Sequence, residues 1–269
     1  MDLHTHSRYS DGSETLEQLF QQAQAANITH LGVVDHDTTA HHAEGRELAA
    51  QYNIEFIAGV EISAYDFKRQ RKVHMLGYGF RGECPHIQTL CEPLLARRHE
   101  HSLWQATRIQ EAGFALDKEQ ALAFAHESGT LYKQHIMNAL TKESFESKNY
   151  QTLYRSLFKN GGVASGDIRY VDAMDALRAI HADGGVAILA HPGQLDSFEL
   201  AEDLVREGLD GIELIHPDHT PMDMELVQKL ADKYNLITTG GSDYHGGYGA
   251  QVQLGHYTIS HLQIPAFIK

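Results

Sequence analysis

Asp2-Leu3-His4-Thr5-His6-Ser7 opens the chain with a short run ending in a His-x-His pair. Side chains two apart on a strand share a face, so His4 and His6 can converge on one metal ion. The same spacing returns in Gly241-Ser242-Asp243-Tyr244-His245, directly after the apolar run Leu236 to Thr239. Between them, His36 follows Leu31-Gly32-Val33-Val34, Glu61 follows Phe56-Ile57-Ala58-Gly59-Val60, and His191 follows Val186-Ala187-Ile188-Leu189-Ala190. Each ligand type stands just past the carboxyl end of a buried strand, where parallel α/β folds assemble their sites.

Working outward, candidate strands are Met1 to Thr5, His30 to Val34, Ile54 to Val60, Val73 to Phe80, Val186 to Ala190, Gly211 to Ile215 and Leu236 to Thr239. Helical patterns alternate with them, the signature of an α/β parallel sheet or barrel. Thr15 is placed to cap a helix whose Leu16, Leu19, Phe20 and Ala23 form one apolar face, with Gln18 at the capping-box position. The alternation stops over residues 82–170, which show helical stretches such as Leu94 to Ala112 and Leu131 to Leu140, broken by Pro85, Pro93, Gly113, Gly129 and Gly161-Gly162. It resumes with a helix over Met174 to His181. The expected organisation is a barrel from residues 1–81 and 171–269, with 82–170 as a helical insertion forming a substrate lid.

The 269 residues are 42% hydrophobic, mean hydropathy is -0.37, and 22 Lys and Arg face 36 Asp and Glu, a net charge of -14. Such a balance speaks against a membrane span and against bulk binding of duplex nucleic acid. The first residues show no basic segment and no apolar stretch, so no secretory signal is expected and the cytoplasm is the expected location. Cys84 and Cys91 supply neither a disulfide framework nor a zinc pattern and are read as structural. Nineteen histidines, by contrast, are dispersed along the whole chain.

His74 opens its apolar run instead of closing it. A hairpin centred between Phe67 and Lys68 would set it opposite Glu61, within reach of a shared cation. Asp11, in the loop Ser10-Asp11-Gly12, can turn back over the site. The predicted metal ligands are therefore His4, His6, Asp11, His36, Glu61, His74, His191, Asp243 and His245. Nine imidazoles and carboxylates exceed one tetrahedral site, and nitrogen and oxygen donors without thiolate suit two or three divalent ions: manganese first, with zinc, iron or magnesium as alternatives. Asp2, Asp35 and Asp37 are expected to orient the imidazoles from behind, Asp37 equally serving as a cap. The other histidines, among them His41, His42, His216 and His261, are assigned to surface or packing.

Asp-Leu-His-Thr-His-Ser (2–7), Ser10-Asp11-Gly12, Asp35-His36-Asp37-Thr38, Gly59-Val60-Glu61, Val73-His74, Ala190-His191-Pro192 and Gly241-Ser242-Asp243-Tyr244-His245, in this order, resemble the PHP family, named from polymerase and histidinol phosphatase. The resemblance implies a distorted seven-stranded (β/α) barrel, the PHP barrel, holding a trinuclear centre that hydrolyses phosphate esters through a metal-activated hydroxide. It would give the first ion to His4, His6, Glu61 and Asp243. Glu61 would bridge to a second ion on His74 and His191, leaving Asp11, His36 and His245 for the third. Asp11 stands where many members have His. Glu61, Asp243 and His191 are the expected catalytic residues.

Residues 94–170 carry 10 Lys and Arg against 8 Asp and Glu, whereas the rest of the chain has 12 against 28. Arg98, Lys133 and His135 are therefore the expected substrate-binding residues, gripping a second phosphate while the metals attack the first. Trp104 is read as helix packing. Within the family the chain resembles a stand-alone branch associated with nucleoside 3',5'-bisphosphate phosphatase activity and with 5'-to-3' exonuclease activity on short RNA. The expected substrate is the 3'-phosphate of a nucleoside 3',5'-bisphosphate; a 5'-phosphorylated RNA end and histidinol phosphate are alternatives. An amidohydrolase and a non-catalytic metal-binding protein are the rivals from other classes. No obligate protein partner is expected.

Overall fold

A computed structural model describes residues 1–259; His261 lies outside them. The first half alternates β1 (Asp2–Thr5), α1 (Leu16–Ala25), β2 (His30–Val33), α2 (His42–Tyr52), β3 (Glu55–Asp66) and β4 (Arg71–Tyr78). Four helices follow without a strand: α3 (Pro85–Glu111), α4 (Lys118–Phe124), α5 (Lys133–Leu140) and α6 (Lys148–Phe158). Alternation returns with β5 (Val171–Asp172), α7 (Ala173–Ala182), β6 (Val186–Leu189), α8 (Pro192–Leu195), α9 (Ala201–Arg206), β7 (Gly211–Ile215), α10 (Pro221–Tyr234) and β8 (Ile237–Gly240). Helix α1 starts at Thr15 through the capping box with Gln18, and it buries Leu16, Leu19, Phe20 and Ala23. No described helix is long and apolar enough to cross a membrane.

Seven strands follow one path, β1-β2-β3-β4-β6-β7-β8, with the short β5 beside β3. All pairs are parallel except those of β4, which runs antiparallel to both neighbours. A parallel bridge between Thr5 and Tyr244, with His6 N donating to Tyr244 O at 2.8 Å, joins the two ends. This is a distorted (β/α) barrel, the architecture that the resemblance implied. Ile57 and Glu61 share a face of β3, as Leu76 and His74 do on β4, because strand side chains repeat every two residues. An apolar plug of Leu3, Val34, Ile57, Leu76, Tyr78 and Ile188 thus gives way to polar residues at one end.

Two local expectations are corrected. The β3–β4 hairpin pairs Glu61 with Leu76 and Ser63 with His74, so its centre lies one residue later than predicted. Asp66 Oδ1 accepts from the amides of Lys68 and Arg69, and Gln70 takes a left-handed φ of 55°, which lengthens the turn before pairing begins at Asp66 and Arg71. Pro93 does not break its helix. It lies inside α3, where burial of Ile87, Cys91 and Leu94 along one face holds the turns together despite a lost hydrogen bond.

Helices α3 to α6 carry an apolar cluster of their own, including Ile109, Leu131, Ile136, Met137, Leu157 and Phe158. Cys84 and Cys91 are buried and free. Trp104 is not packed inside this block: it is 43% exposed and stacks on His101 with ring centroids 5.2 Å apart.

Candidate metal centre

All nine predicted ligands gather at the end of the barrel where the parallel strands finish. His4 and His6 leave β1, His36 follows β2 and forms a bridge with Glu61, and His191 follows β6. Asp243 and His245 follow β8. There Gly241 lies so close to β1 that a Cβ would stand 2.3 Å from His4 N, which only glycine permits. Asp243 takes a left-handed φ of 47°, tolerated by a short polar side chain.

Glu61 turns its two oxygens to different sides. Oε1 lies 2.6 Å from His74 Nδ1 and 2.8 Å from His191 Nε2. Oε2 lies 3.3 Å from His4 Nε2, 3.1 Å from His6 Nε2 and 3.4 Å from His36 Nδ1. Asp243 Oδ1 is 3.3 Å from the same two nitrogens of His4 and His6. Bonds of about 2.0 to 2.1 Å from a tetrahedral ion imply donor-to-donor edges of about 3.3 Å, so these four donors have the spacing of a metal cage. A second group joins His6, Asp11, His36 and His245, and a third joins His36, Glu61 and His74. His6 Nδ1 and Nε2, His36 Nδ1 and His191 Nδ1 are buried without a hydrogen-bond partner, and each of these rings, when neutral, has one lone pair to offer a cation. The donor set fits divalent ions.

Charge tells the same story. Burial works against a charged His4, but Glu213, Glu61 and Asp243 raise its pKa well above the usual imidazole range. Burial likewise opposes His6, yet Asp243 and Glu61 raise it to about 10. Without a cation, protons on these rings balance the carboxylates. Burial leaves His36 neutral, its pKa lowered to about 4, and it lowers His191 as well.

Two residues assigned no role by the sequence reading belong to this network. Glu213, fully buried in β7, accepts from His4 Nδ1 at 2.9 Å and from His191 N at 2.9 Å. His216 accepts from Asp218 N at Nδ1, which leaves the Nε2 proton facing Asp243 Oδ2 at 3.3 Å. The signals were a lone carboxylate inside the apolar run Gly-Ile-Glu-Leu-Ile and a histidine directly after that strand.

The carboxylates expected to orient the ligand imidazoles hold backbone amides, serine hydroxyls and Arg98, and the one ring beside them among the described residues is His41, whose Nδ1 lies 3.2 Å from Asp35 Oδ2. Asp2 accepts from Ser242 N and Oγ at 2.9 and 2.7 Å, tying β1 to the segment after β8. Asp35 accepts from Ser7 N and from the hydroxyls of Ser7 and Ser10. Asp37 accepts from Ser63 N and Arg98.

A cavity of about 460 Å³ runs from Asp11, His36 and His74 to the helical block, where Arg98, Lys133, Lys159, Tyr132, Tyr150 and Tyr154 line it, with Lys72 and Tyr170 beside them. Lys72 is paired with Asp167. Lys133 faces the Phe158 ring, and burial followed by repulsion from Lys72 lowers its pKa to about 8. Arg98 is engaged, donating to Asp37 Oδ2 at 2.7 Å and Ser63 Oγ at 2.8 Å. His135 does not line the cavity: it is 1% exposed, Nδ1 accepts from Tyr132 N, and burial lowers its pKa to about 4. A neutral, buried imidazole has no charge to offer an anion, so this residue departs from its expected role.

With the fold and centre described, comparison with known proteins gives the class. Residues 2–180 match the PHP domain model, and the chain belongs to that family. It is 52% identical, over 94% of its length and 97% of the relative's, to a phosphoribosyl 1,2-cyclic phosphate 1,2-diphosphodiesterase of Eggerthella lenta. It is 29% identical, over 95% and 90%, to a 3',5'-nucleoside bisphosphate phosphatase of Chromobacterium violaceum. A structure named as a metal-dependent phosphoesterase from Bifidobacterium adolescentis superposes with a TM-score of 0.87 at 26% identity, covering 96% of this chain and 92% of the other.

Proposed function

We propose that this metal-dependent phosphoester hydrolase of the PHP family acts on a cyclic phosphodiester of a small sugar phosphate, of the phosphoribosyl 1,2-cyclic phosphate type. The observation that carries the reading is the 52% identity across nearly all of both chains to the Eggerthella enzyme, against 29% to the nucleoside bisphosphate phosphatase. The cavity supports it, because a substrate with an ester at one end and a phosphate at the other meets candidate ligands and then Lys133. This departs from the nucleoside 3',5'-bisphosphate expected from the motifs, whose named relative is the more distant one.

In this reading His4, His6, Glu61 and Asp243 hold one ion, Glu61 with His74 and His191 a second, and Asp11, His36 and His245 a third; manganese is the ion proposed. When bound, the ions supply Lewis acidity at the phosphoryl group and activate water. The chain's own residues do the rest. Glu61 and Asp243 carry the negative charge that retains the cations, and neutral His36 and His191 offer lone pairs without prior deprotonation. Glu213 fixes the ring of His4. Lys133 receives the remote phosphate, while helices α3 to α6 form a lid that limits the length of the substrate.

A nucleotide reading retains one observation in its favour: tyrosines line the cavity, and the Tyr150 and Tyr154 rings stack at 6.4 Å, a surface that can also face a base. The test is phosphate release and product analysis by the manganese-loaded chain on phosphoribosyl 1,2-cyclic phosphate, a nucleoside 3',5'-bisphosphate and a 5'-phosphorylated oligoribonucleotide. The cyclic ester should have the highest kcat/KM by at least about tenfold, the margin that one well-placed polar contact provides. Preference for either nucleotide would refute the proposal.

A further inference from the structure

We propose that Gln134 is a positioning residue for Asp11, so that the helix lining the substrate cavity also governs the third ion site. Gln134 follows Lys133 in the first turn of α5, and its Nε2 donates to Asp11 Oδ2 at 2.6 Å. Asp11 is 2% exposed. Its other oxygen faces His245 Nε2 at 3.4 Å and His6 Nδ1 at 3.8 Å, the direction in which an ion in this group would lie. A carboxylate can rotate about its last bond, and the Gln134 donor on Oδ2, which itself lies 3.9 Å from His36 Nε2, fixes that rotation with Oδ1, to which Ser10 Oγ donates at 3.3 Å, turned toward His245 and His6. Just before α5, the Tyr132 hydroxyl donates to His36 O at 3.3 Å, so one short segment touches two of the four residues in this group.

The His4, His6, Glu61 and Asp243 group is supported differently. Its partners Glu213 and His216 come from β7 and the residue after it, within the barrel. Two ion sites therefore answer to different parts of the chain. Gln134, Asp11 and Lys133 all line the cavity, so whatever shifts α5 on entry of an anion also shifts the donor on Asp11.

The experiment is manganese binding to the metal-free full chain, read as stoichiometry and stepwise affinity by calorimetry and by metal analysis after dialysis. Gln134→Met keeps the length and removes the donor, and Gln134→Asn keeps the amide but draws it back; circular dichroism reports folding. Either folded variant should weaken the weakest of three binding steps by 10- to 100-fold, as expected for loss of a ligand's supporting hydrogen bond, and leave the others within about twofold. In an Asp11→His background, which removes the accepting carboxylate, Gln134→Met should change that step by less than about threefold, because the interaction is already gone. Equal weakening of every step, an equal loss in both backgrounds, or unchanged binding would overturn the proposal. So would a wild-type chain that binds only two ions.

Discussion

Arg98 and Asp37 form a buried pair at the floor of the cavity, with the guanidinium 2.7 Å from Asp37 Oδ2 and stacked over the Tyr132 ring at 5.2 Å. The Asp37 side chain is fully buried and that of Arg98 is 17% exposed, so neither charge is relieved by bulk water. Removing the cation leaves a buried carboxylate whose remaining donor is Ser63 N. Arg98→Ala should therefore destabilise the fold by about 3 kcal/mol, measured by urea unfolding. A fully stable variant with only a raised KM would show that Arg98 serves the substrate directly.

Lys133 should behave in the opposite way. Among the described residues no carboxylate forms an ion pair with its ammonium, and it faces the cavity. Lys133→Met should raise KM for a substrate with a second phosphate by about 10- to 100-fold while leaving turnover of a small activated diester within about twofold. Since its pKa is lowered to about 8, Lys133 is charged below that pH and neutral above it. Affinity for the remote phosphate should fall as pH rises through 8, and Lys133→Arg should abolish the fall. A KM that is flat from pH 7 to 9.5 in the wild type would exclude this role.

Glu213 does not line the 460 Å³ cavity, and its effect passes through His4 Nδ1 and the His191 amide that it holds. Glu213→Gln keeps its size but removes the carboxylate that accepts from His4 Nδ1. Manganese affinity or kcat should drop by about 10- to 100-fold, with little change in KM. An equal loss of KM and kcat, or none, would indicate a packing role.

Metal uptake should release protons. At pH 7 the raised pKa values of His4 and His6 keep these rings protonated in the metal-free chain, and coordination requires neutral nitrogen. Affinity should therefore keep rising from pH 7 to 8.5, above the range where an unperturbed histidine near 6.5 has finished titrating. Calorimetry in buffers of different ionisation enthalpy should count about two protons released on full loading, those of His4 and His6. A plateau above pH 7 with no proton release would contradict the charge arrangement.

The barrel and the side chains that cluster at one end of it were legible in the chain itself. Apolar runs end at His6, His36, His191 and Asp243, and a side chain just past a strand has only one end of the barrel to occupy; Glu61 closes its apolar run too, but β3 continues beyond it to Asp66. Local signals such as the Thr15 capping box were legible for the same reason, because the atoms involved are three residues apart.

Contacts between distant segments, and the burial they impose, were decided only by tertiary structure. The same rule that identified His191 points to His216 after β7, but nothing local says that its Nε2 meets Asp243 or that Glu213 reaches back across the barrel to His4. The hairpin register followed from the amides that Asp66 happens to hold. Arg98, Lys133 and His135 look alike in sequence as basic residues near a helix start, yet Asp37 occupies the first, the open cavity leaves the second available, and burial neutralises the third. Charge state and partner depend on solvent exclusion and on contacts remote along the chain, and those are properties of the folded molecule.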